Sequence, residues 1–306
     1  MIRPPALRPG ARIALVAPAG PLGDGAVDRA IERLRGWGYD PVAGDHARGR
    51  HGFLSAPDEA RAADFNAALR DDSVDAVWCL RGGYGVMRIL DAIDWDALAR
   101  RPRPVIGFSD NTALHLAIQR LGIVSFHGPH PATETITGFS ADGLRRVLTI
   151  PEPAGILPFP ADAPPAETIT PGVAEGRLVG GNLALLAATL GTPYAVDADG
   201  AILFLEEVGE APYRVDRMLT QLRLAGVLDR VAGIALGGFT EVPANGGDGA
   251  RDQAEVLRER LGSLGVPVAT GFPFGHVDDN WTLPEGVRAR LDANAGTLEL
   301  LEPAVA

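Results

Sequence analysis

Three stretches of this sequence carry side chains whose types and spacing could do chemistry. In VIGFSDNTALHLAI, residues 105–118, an apolar run closes on Gly107-Phe108, and Ser109 and Asp110 precede a helix-like pattern. Serine and aspartate start helices because their oxygens accept hydrogen bonds from the first, unpaired N–H groups. An enzyme would expose a nucleophile at the same kind of turn, with the partly positive helix N-terminus facing a developing oxyanion. The G-x-S-x-G elbow is met only at its first glycine, since Asn111 stands where the second belongs. On the motif alone, cap and catalyst both stay open for Ser109.

The second stretch is LRGGYG, residues 80–85, directly after the apolar VDAVWCL. Paired glycines let backbone approach a ligand closely and turn amides toward it. A dinucleotide fingerprint fails for want of a third glycine, and a phosphate loop for want of Gly-Lys-Ser/Thr. What stays open is a tight strand–helix turn or an amide that serves an oxyanion beside Ser109. The third stretch is a pair of features. AILFLEEVGE, 201–210, is an apolar run that ends in Glu206 and Glu207, and GFPFGHVDDNW, 271–281, puts His276 in a Gly-rich loop. A serine hydroxyl needs a base, and the base needs an orienting carboxylate. Serine, strand-end glutamate and loop histidine supply those roles in that order, although a solvated glutamate and a structural histidine are the plain alternatives. His46 and His51 lie in a polar connection, His115 inside the helix after Ser109, and His127 and His130 are expected to line a pocket. No His-x-x-x-His pair or carboxylate cluster has metal-ligand spacing.

The elements that must position these residues follow from periodicity. RIALVAP, 12–18, reads as a buried strand, followed by an amphipathic helix with Val27, Ile31, Leu34 and Trp37 on one face. SAPDEARAADFNAAL reads as a helix capped by Ser55 with Pro57 in its first turn, and VMRILDAIDWDAL as another amphipathic helix. PVIGF, SDNTALHLAIQRLG and IVSFHGP complete a strand–helix–strand series. Such alternation predicts an α/β fold: residues 1–150 form an N-terminal domain with a mostly parallel sheet flanked by helices. Residues 151–171 hold seven of the 25 prolines and read as a linker or irregular extended segment. Residues 172–306 mix strands and helices, ending in a hairpin around Asp-Ala-Asn-Ala-Gly, and read as a β-rich C-terminal domain.

Composition narrows the function. A net charge of −11 with no basic run argues against nucleic-acid binding, which needs clustered Lys and Arg. The single cysteine, Cys79, sits in an apolar run and reads as a buried structural thiol. No run reaches the roughly 18 apolar residues of a membrane helix, and prolines and arginines interrupt the N-terminus where a signal peptide would be apolar. The expectation is a cytoplasmic protein that binds no membrane.

Together LRGGYG, VIGFSDNTALHLAI, GRLVGGNLALLAATLGTPY, LFLEEVGEAPYRVDRMLTQL and GFPFGH resemble the LD-carboxypeptidase family, serine peptidases that include muropeptide LD-carboxypeptidases and microcin C immunity peptidases. The resemblance spans nearly the whole chain, and five motifs in order are far more specific than any one. It implies an N-terminal domain bearing the nucleophile and a C-terminal domain bearing Glu and His. It implies Ser109 as nucleophile, Glu206 as acid with Glu207 the alternative, His276 as base, and the amides of Gly83 and Asp110 as oxyanion hole. Ser109 could then both catalyse and begin the helix, with Asp110 capping. The family is dimeric and needs no metal or organic cofactor, so the implied partners are a peptide substrate and a second copy. Arg81, Arg177 and Tyr84 are candidates to grip the substrate. The implied reaction releases D-alanine from a muropeptide tetrapeptide in peptidoglycan recycling. Cleavage of an aminoacyl-nucleotide conjugate, or a non-catalytic binding module on the same fold, is the alternative.

Overall fold

Strands covered on both faces read as near-continuous apolar runs, and residues 13–16, 76–79 and 105–107 in the first sheet are such runs, buried throughout. The computed structural model describes residues 1–243 and 251–306. The chain forms two units, one of residues 1–152, 282–286 and 303–306, the other of residues 153–281 and 287–302. In the first, the elements in order are β1 (Arg12–Val16), α1 (Ala26–Gly36), β2 (Asp40–Ala43), α2 (Asp58–Arg70), β3 (Ala76–Cys79), α3 (Trp95–Arg100), β4 (Val105–Gly107), α4 (Thr112–Arg120), β5 (Ser125–His127) and α5 (Gly138–Thr149). The strands β2, β1, β3, β4 and β5 lie side by side in that order, all parallel. The order reverses between β1 and β3, and ligands of such sheets bind beyond the strand ends at that switch point. The loops after β1 and β3 and the Ser109 turn after β4 all leave from that edge.

The second unit begins with β6 (Gly155–Ile156), β7 (Glu167–Thr170), β8 (Val173–Asn182), α6 (Leu183–Ala188), β9 (Ile202–Val208), α7 (Pro212–Leu224), β10 (Gly233–Thr240), α8 (Gln253–Leu261) and β11 (Val268–Thr270). Next in the chain, β12 (Leu283–Glu285) returns to the first unit and pairs antiparallel with β5, placing Glu285 opposite Ser125. The hairpin of β13 (Arg288–Asp292) and β14 (Thr297–Leu300) closes the second sheet, in the order β6-β14-β13-β8-β9-β10-β11-β7. Its centre, β8 to β11, is parallel and flanked by helices, and its outer strands are antiparallel. Among the described residues no helix is long and apolar enough to cross a membrane.

The structure departs from the sequence expectations at four places. Ser55 caps nothing: its hydroxyl donates to the Ala17 carbonyl at 2.6 Å, and Pro57 precedes α2. The helix expected across residues 86–98 is broken into short 3₁₀ turns at 86–88 and 90–92, followed by α3. Ile93 is extended there, and Asp94 accepts from the Ala97 N–H, which starts a new helix rather than continuing one. The proline-rich 151–171 segment supplies β6 and β7 to the second sheet, so its prolines sit between paired stretches. His127 and His130 are buried inside the first unit rather than lining an open pocket.

Gly180 shows how tightly β8 and β9 are drawn together. It has φ 154°, and a Cβ there would overlap the Phe204 carbonyl oxygen across the pair. Two residues further on, Asn182 stands opposite Glu206 in the same register. Gly180→Ala is expected to destabilise the protein by about 1–3 kcal/mol through overpacking, read as a lower urea midpoint with an unchanged slope.

Candidate active site

The turn after β4 is the most constrained part of the first unit. Ser109 has φ 62°, the left-handed region that non-glycine residues rarely occupy, at a cost on the order of 1–3 kcal/mol. Among the described residues the only other non-glycine with positive φ is Glu241. Ser109 therefore does not act as a helix cap: neither the 109–111 turn nor α4 has a side-chain cap. Asp110 does not cap either, since its Oδ2 accepts from the Val86 N–H at 2.8 Å. Burial is the largest influence on Asp110 and raises its pKa to about 6, against the lowering effect of that bond and of Arg61.

Around this turn, each neighbour is held by a specific bond. A Cβ on Gly82 would lie 2.7 Å from Ser109 Cβ, 2.8 Å from Ser109 Oγ and 3.3 Å from the Asp110 nitrogen, so only glycine lets the 80–85 loop approach. Gly83 and Gly85 have φ 111° and 127°, which glycine alone adopts without strain. The Gly82 carbonyl accepts from the Gly20 N–H at 3.1 Å. Asn111 Nδ2 donates to the carbonyls of Phe108 and Arg81 at 3.0 and 3.2 Å and to His130 Nε2 at 2.9 Å. This accounts for asparagine where an elbow has glycine: the side chain ties the ends of β3 and β4 together. His130 also stacks on Phe108, ring centroids 4.4 Å apart. Beneath the turn, His115 Nε2–H donates to the Gly107 carbonyl at 2.8 Å, and the Ser125 hydroxyl donates to His115 Nδ1 at 2.9 Å. Burial lowers the His115 pKa to about 4 despite the Gly107 bond, so this imidazole is neutral and structural.

Within the second unit, β9 alternates its side chains, so adjacent glutamates part ways. Glu206 is fully buried, and its Oε2 accepts from His276 Nδ1 at 2.6 Å. Glu206 Oε1 has no hydrogen-bond partner among the described residues. That bond puts the proton on Nδ1 and leaves Nε2 with its lone pair, the tautomer a general base needs. Gly275, with φ 96°, is required beside it, because a Cβ there would lie 2.6 Å from Glu206 Cβ. The His276 loop is fixed by Asn280, which accepts from the Gly275 N–H at 3.1 Å and donates to its carbonyl at 2.9 Å. Phe272, Phe274 and Trp281 pack together, and Phe159 of the proline-rich segment packs against Phe272 and Trp281. Burial pulls the His276 pKa down, but the Glu206 hydrogen bond and the charges of Glu206, Glu207 and Glu241 together outweigh it and leave the pKa raised.

Glu207 is engaged elsewhere. Its oxygens accept from Asn182 Nδ2 at 2.8 Å, the Val208 N–H at 2.9 Å and the Ala184 N–H at 2.8 Å, at the start of α6. Burial raises its pKa most, and the Glu206 charge adds to the rise. The three substrate-gripping candidates fare differently. Arg81 is exposed beside the glycine pair, with Nη1 donating to the Pro21 carbonyl at 2.6 Å. Tyr84 is 53% exposed and meets the Phe53 ring edge-on at 5.5 Å. Arg177 instead pairs with Asp197 at 2.8 Å, about 17 Å along β8 from the residue opposite Glu206. Cys79 is buried, which raises its thiol pKa and keeps it inert. Among the described residues no group of three or more His, Cys, Asp or Glu is placed to hold a metal ion.

Sequence reasoning gave no role to Gly20, Gly275 and Arg61, took Gly82 only as one of a pair of glycines, and took Asn111 only as the residue that breaks the elbow pattern. The glycines and Asn111 lie inside or beside the quoted motifs, but their partners are distant in sequence. Arg61 gave no signal, because its place on α2 looks like an ordinary polar position. Glu206→Gln removes the charge that favours the imidazolium, so the His276 ring, followed by NMR, is expected to titrate at lower pH than in the wild type. An unchanged titration would mean that the pair does not persist in solution.

Comparison with known proteins adds to this geometry. Residues 13–128 match the LD-carboxypeptidase N-terminal domain, and residues 175–291 match the LD-carboxypeptidase C-terminal domain. A putative carboxypeptidase of Streptomyces coelicolor is 45% identical over 313 residues, covering 100% of this chain and 98% of that protein. The murein tetrapeptide carboxypeptidase of Pseudomonas aeruginosa is 34% identical over 289 residues, covering 92% and 94%. The crystal structure of muramoyltetrapeptide carboxypeptidase from Oxalobacter formigenes superposes with a TM-score of 0.82 at 36% identity, over 95% of this chain and 98% of that one. With both domain matches and full-length relatives at this identity, the chain belongs to the LD-carboxypeptidase family, hydrolases that act on peptides.

Proposed function

We propose that this protein is a serine LD-carboxypeptidase that releases the terminal D-alanine of a muropeptide tetrapeptide. The observation that carries the reading is the left-handed backbone of Ser109, a strain kept at a strand-to-helix turn that it does not cap. The names of the relatives supply the substrate class. The reading requires Ser109 Oγ to meet His276 Nε2, the nucleophile coming from the N-terminal domain and the acid–base pair from the C-terminal one.

In the reaction, Ser109 Oγ attacks the carbonyl carbon of the scissile bond as its proton passes to His276 Nε2. Glu206 holds the imidazole and stabilises its cation. The Gly83 and Asp110 amides donate to the tetrahedral oxyanion. The C–N bond then breaks, His276 gives its proton to the leaving amine, and D-alanine departs. Water attacks the acyl-enzyme, again losing a proton to His276, and restores the Ser109 hydroxyl. Because the base must be neutral, activity falls as pH drops through the raised His276 pKa. The resemblance adds a cytoplasmic, homodimeric working form in peptidoglycan recycling to the same proposal.

Incubation with the tetrapeptide and assay of free D-alanine tests the reading. The wild type is expected to release it, and Ser109→Ala to lose about 10³–10⁶ of the rate. Equal release by both, or cleavage only of an aminoacyl-nucleotide conjugate, would overturn the tetrapeptide reading.

A further inference from the structure

A loop without regular structure can hold an oxyanion donor only if something fixes it to a fraction of an ångström. The 81–86 loop is such a loop, and four bonds tie it. Asn111 holds the Arg81 carbonyl, Gly20 the Gly82 carbonyl, Arg61 Nη1 the Gly85 carbonyl at 2.9 Å, and Asp110 Oδ2 the Val86 N–H at 2.8 Å. Arg61 has a fully buried side chain that also donates to the carbonyls of Pro18 and Ala56 and pairs with Asp58. The loop after β1, the start of α2 and the glycine loop thus share one guanidinium. Asp110 is only 3% exposed, and a carboxylate placed there is costly unless it holds something.

Asp110 differs from the other three ties in one respect. Its backbone N–H is one of the two proposed oxyanion donors, and its side chain anchors the loop that carries the other, Gly83. We propose that the Asp110 carboxylate is a positioning residue that sets the spacing between the two donors through Val86, so that the hole fits the tetrahedral intermediate rather than the ground-state carbonyl. This rests on the serine-nucleophile reading above. An acceptor at Oδ is the required feature, and the negative charge is secondary.

The test compares Asp110→Ala, Asp110→Asn and Asp110→Glu in the full-length protein. Turnover of tetrapeptide, binding of a peptide boronate that mimics the tetrahedral state, and labelling of Ser109 by a fluorophosphonate are measured for each. Loss of the anchor in Asp110→Ala is expected to lower kcat and boronate affinity by about 10²–10³-fold, the scale of one lost oxyanion donor, with KM held within about threefold. Asparagine keeps an acceptor and is expected to recover most of that loss. Glutamate keeps the charge but moves the acceptor by a methylene, so it is expected to slow turnover with KM held, and it carries the test if the alanine variant does not fold. Unchanged turnover in the alanine or glutamate variant, kcat and KM that move together, or asparagine as poor as alanine would each overturn the proposal. If the wild type labels at Ser109 but leaves tetrapeptide intact, the substrate reading falls, and the labelling rates of the variants still decide the role of Asp110.

Discussion

A serine backbone held in the left-handed region is the constraint around which the turn after β4 is built. Left to itself, Ser109 would relax toward ordinary helical or extended geometry, and the strain persists because its surroundings leave no alternative. Below it, the neutral His115 holds the Gly107 carbonyl. Beside it, Asn111 spans from β4 to β3 and to His130. In front of it, Gly82 approaches so closely that any side chain would collide with the serine. The parallel sheet makes these bonds possible, because its reversal of strand order leaves loops from three strands at one edge.

The second unit answers a different physical problem, that of aiming a carboxylate while it is wholly buried. One oxygen of Glu206 is bonded to an imidazole, and removal of that imidazole would leave a buried carboxylate without its partner. Alternation along β9 sends the neighbouring Glu207 to the start of α6, where three donors occupy it. Two adjacent glutamates thus do separate work, one for the imidazole and one for a helix. An aromatic cluster with a proline-rich flank holds the imidazole loop in place, so the composition that reads as a linker is part of the support.

Much of this was legible in the sequence because motifs are local. Apolar runs ending in glycine or acid placed the strands and their ends, and the LEE, GFSDN and GFPFGH stretches stood out for their side-chain types. What escaped was set by contacts between distant residues. Periodicity cannot separate two 3₁₀ turns from one helix when Val86, Ile89, Leu90 and Ile93 suit both. The deciding bonds come from Asp110 and from the capping oxygen of Asp94. The return of β12 to pair with β5 joins residues more than 150 apart, which no local pattern encodes. Arg61 and Asn111 act through backbone carbonyls, and a carbonyl leaves no trace in sequence.

The central claim is that Ser109 is a nucleophile activated by the imidazole that Glu206 holds. Peptide mapping by mass spectrometry after treatment with a serine-directed fluorophosphonate tests it most directly, comparing the wild type with His276→Ala. The account predicts one adduct, on Ser109, formed far more slowly once the imidazole is gone. An adduct elsewhere, or equal labelling of Ser109 in both proteins, would contradict it.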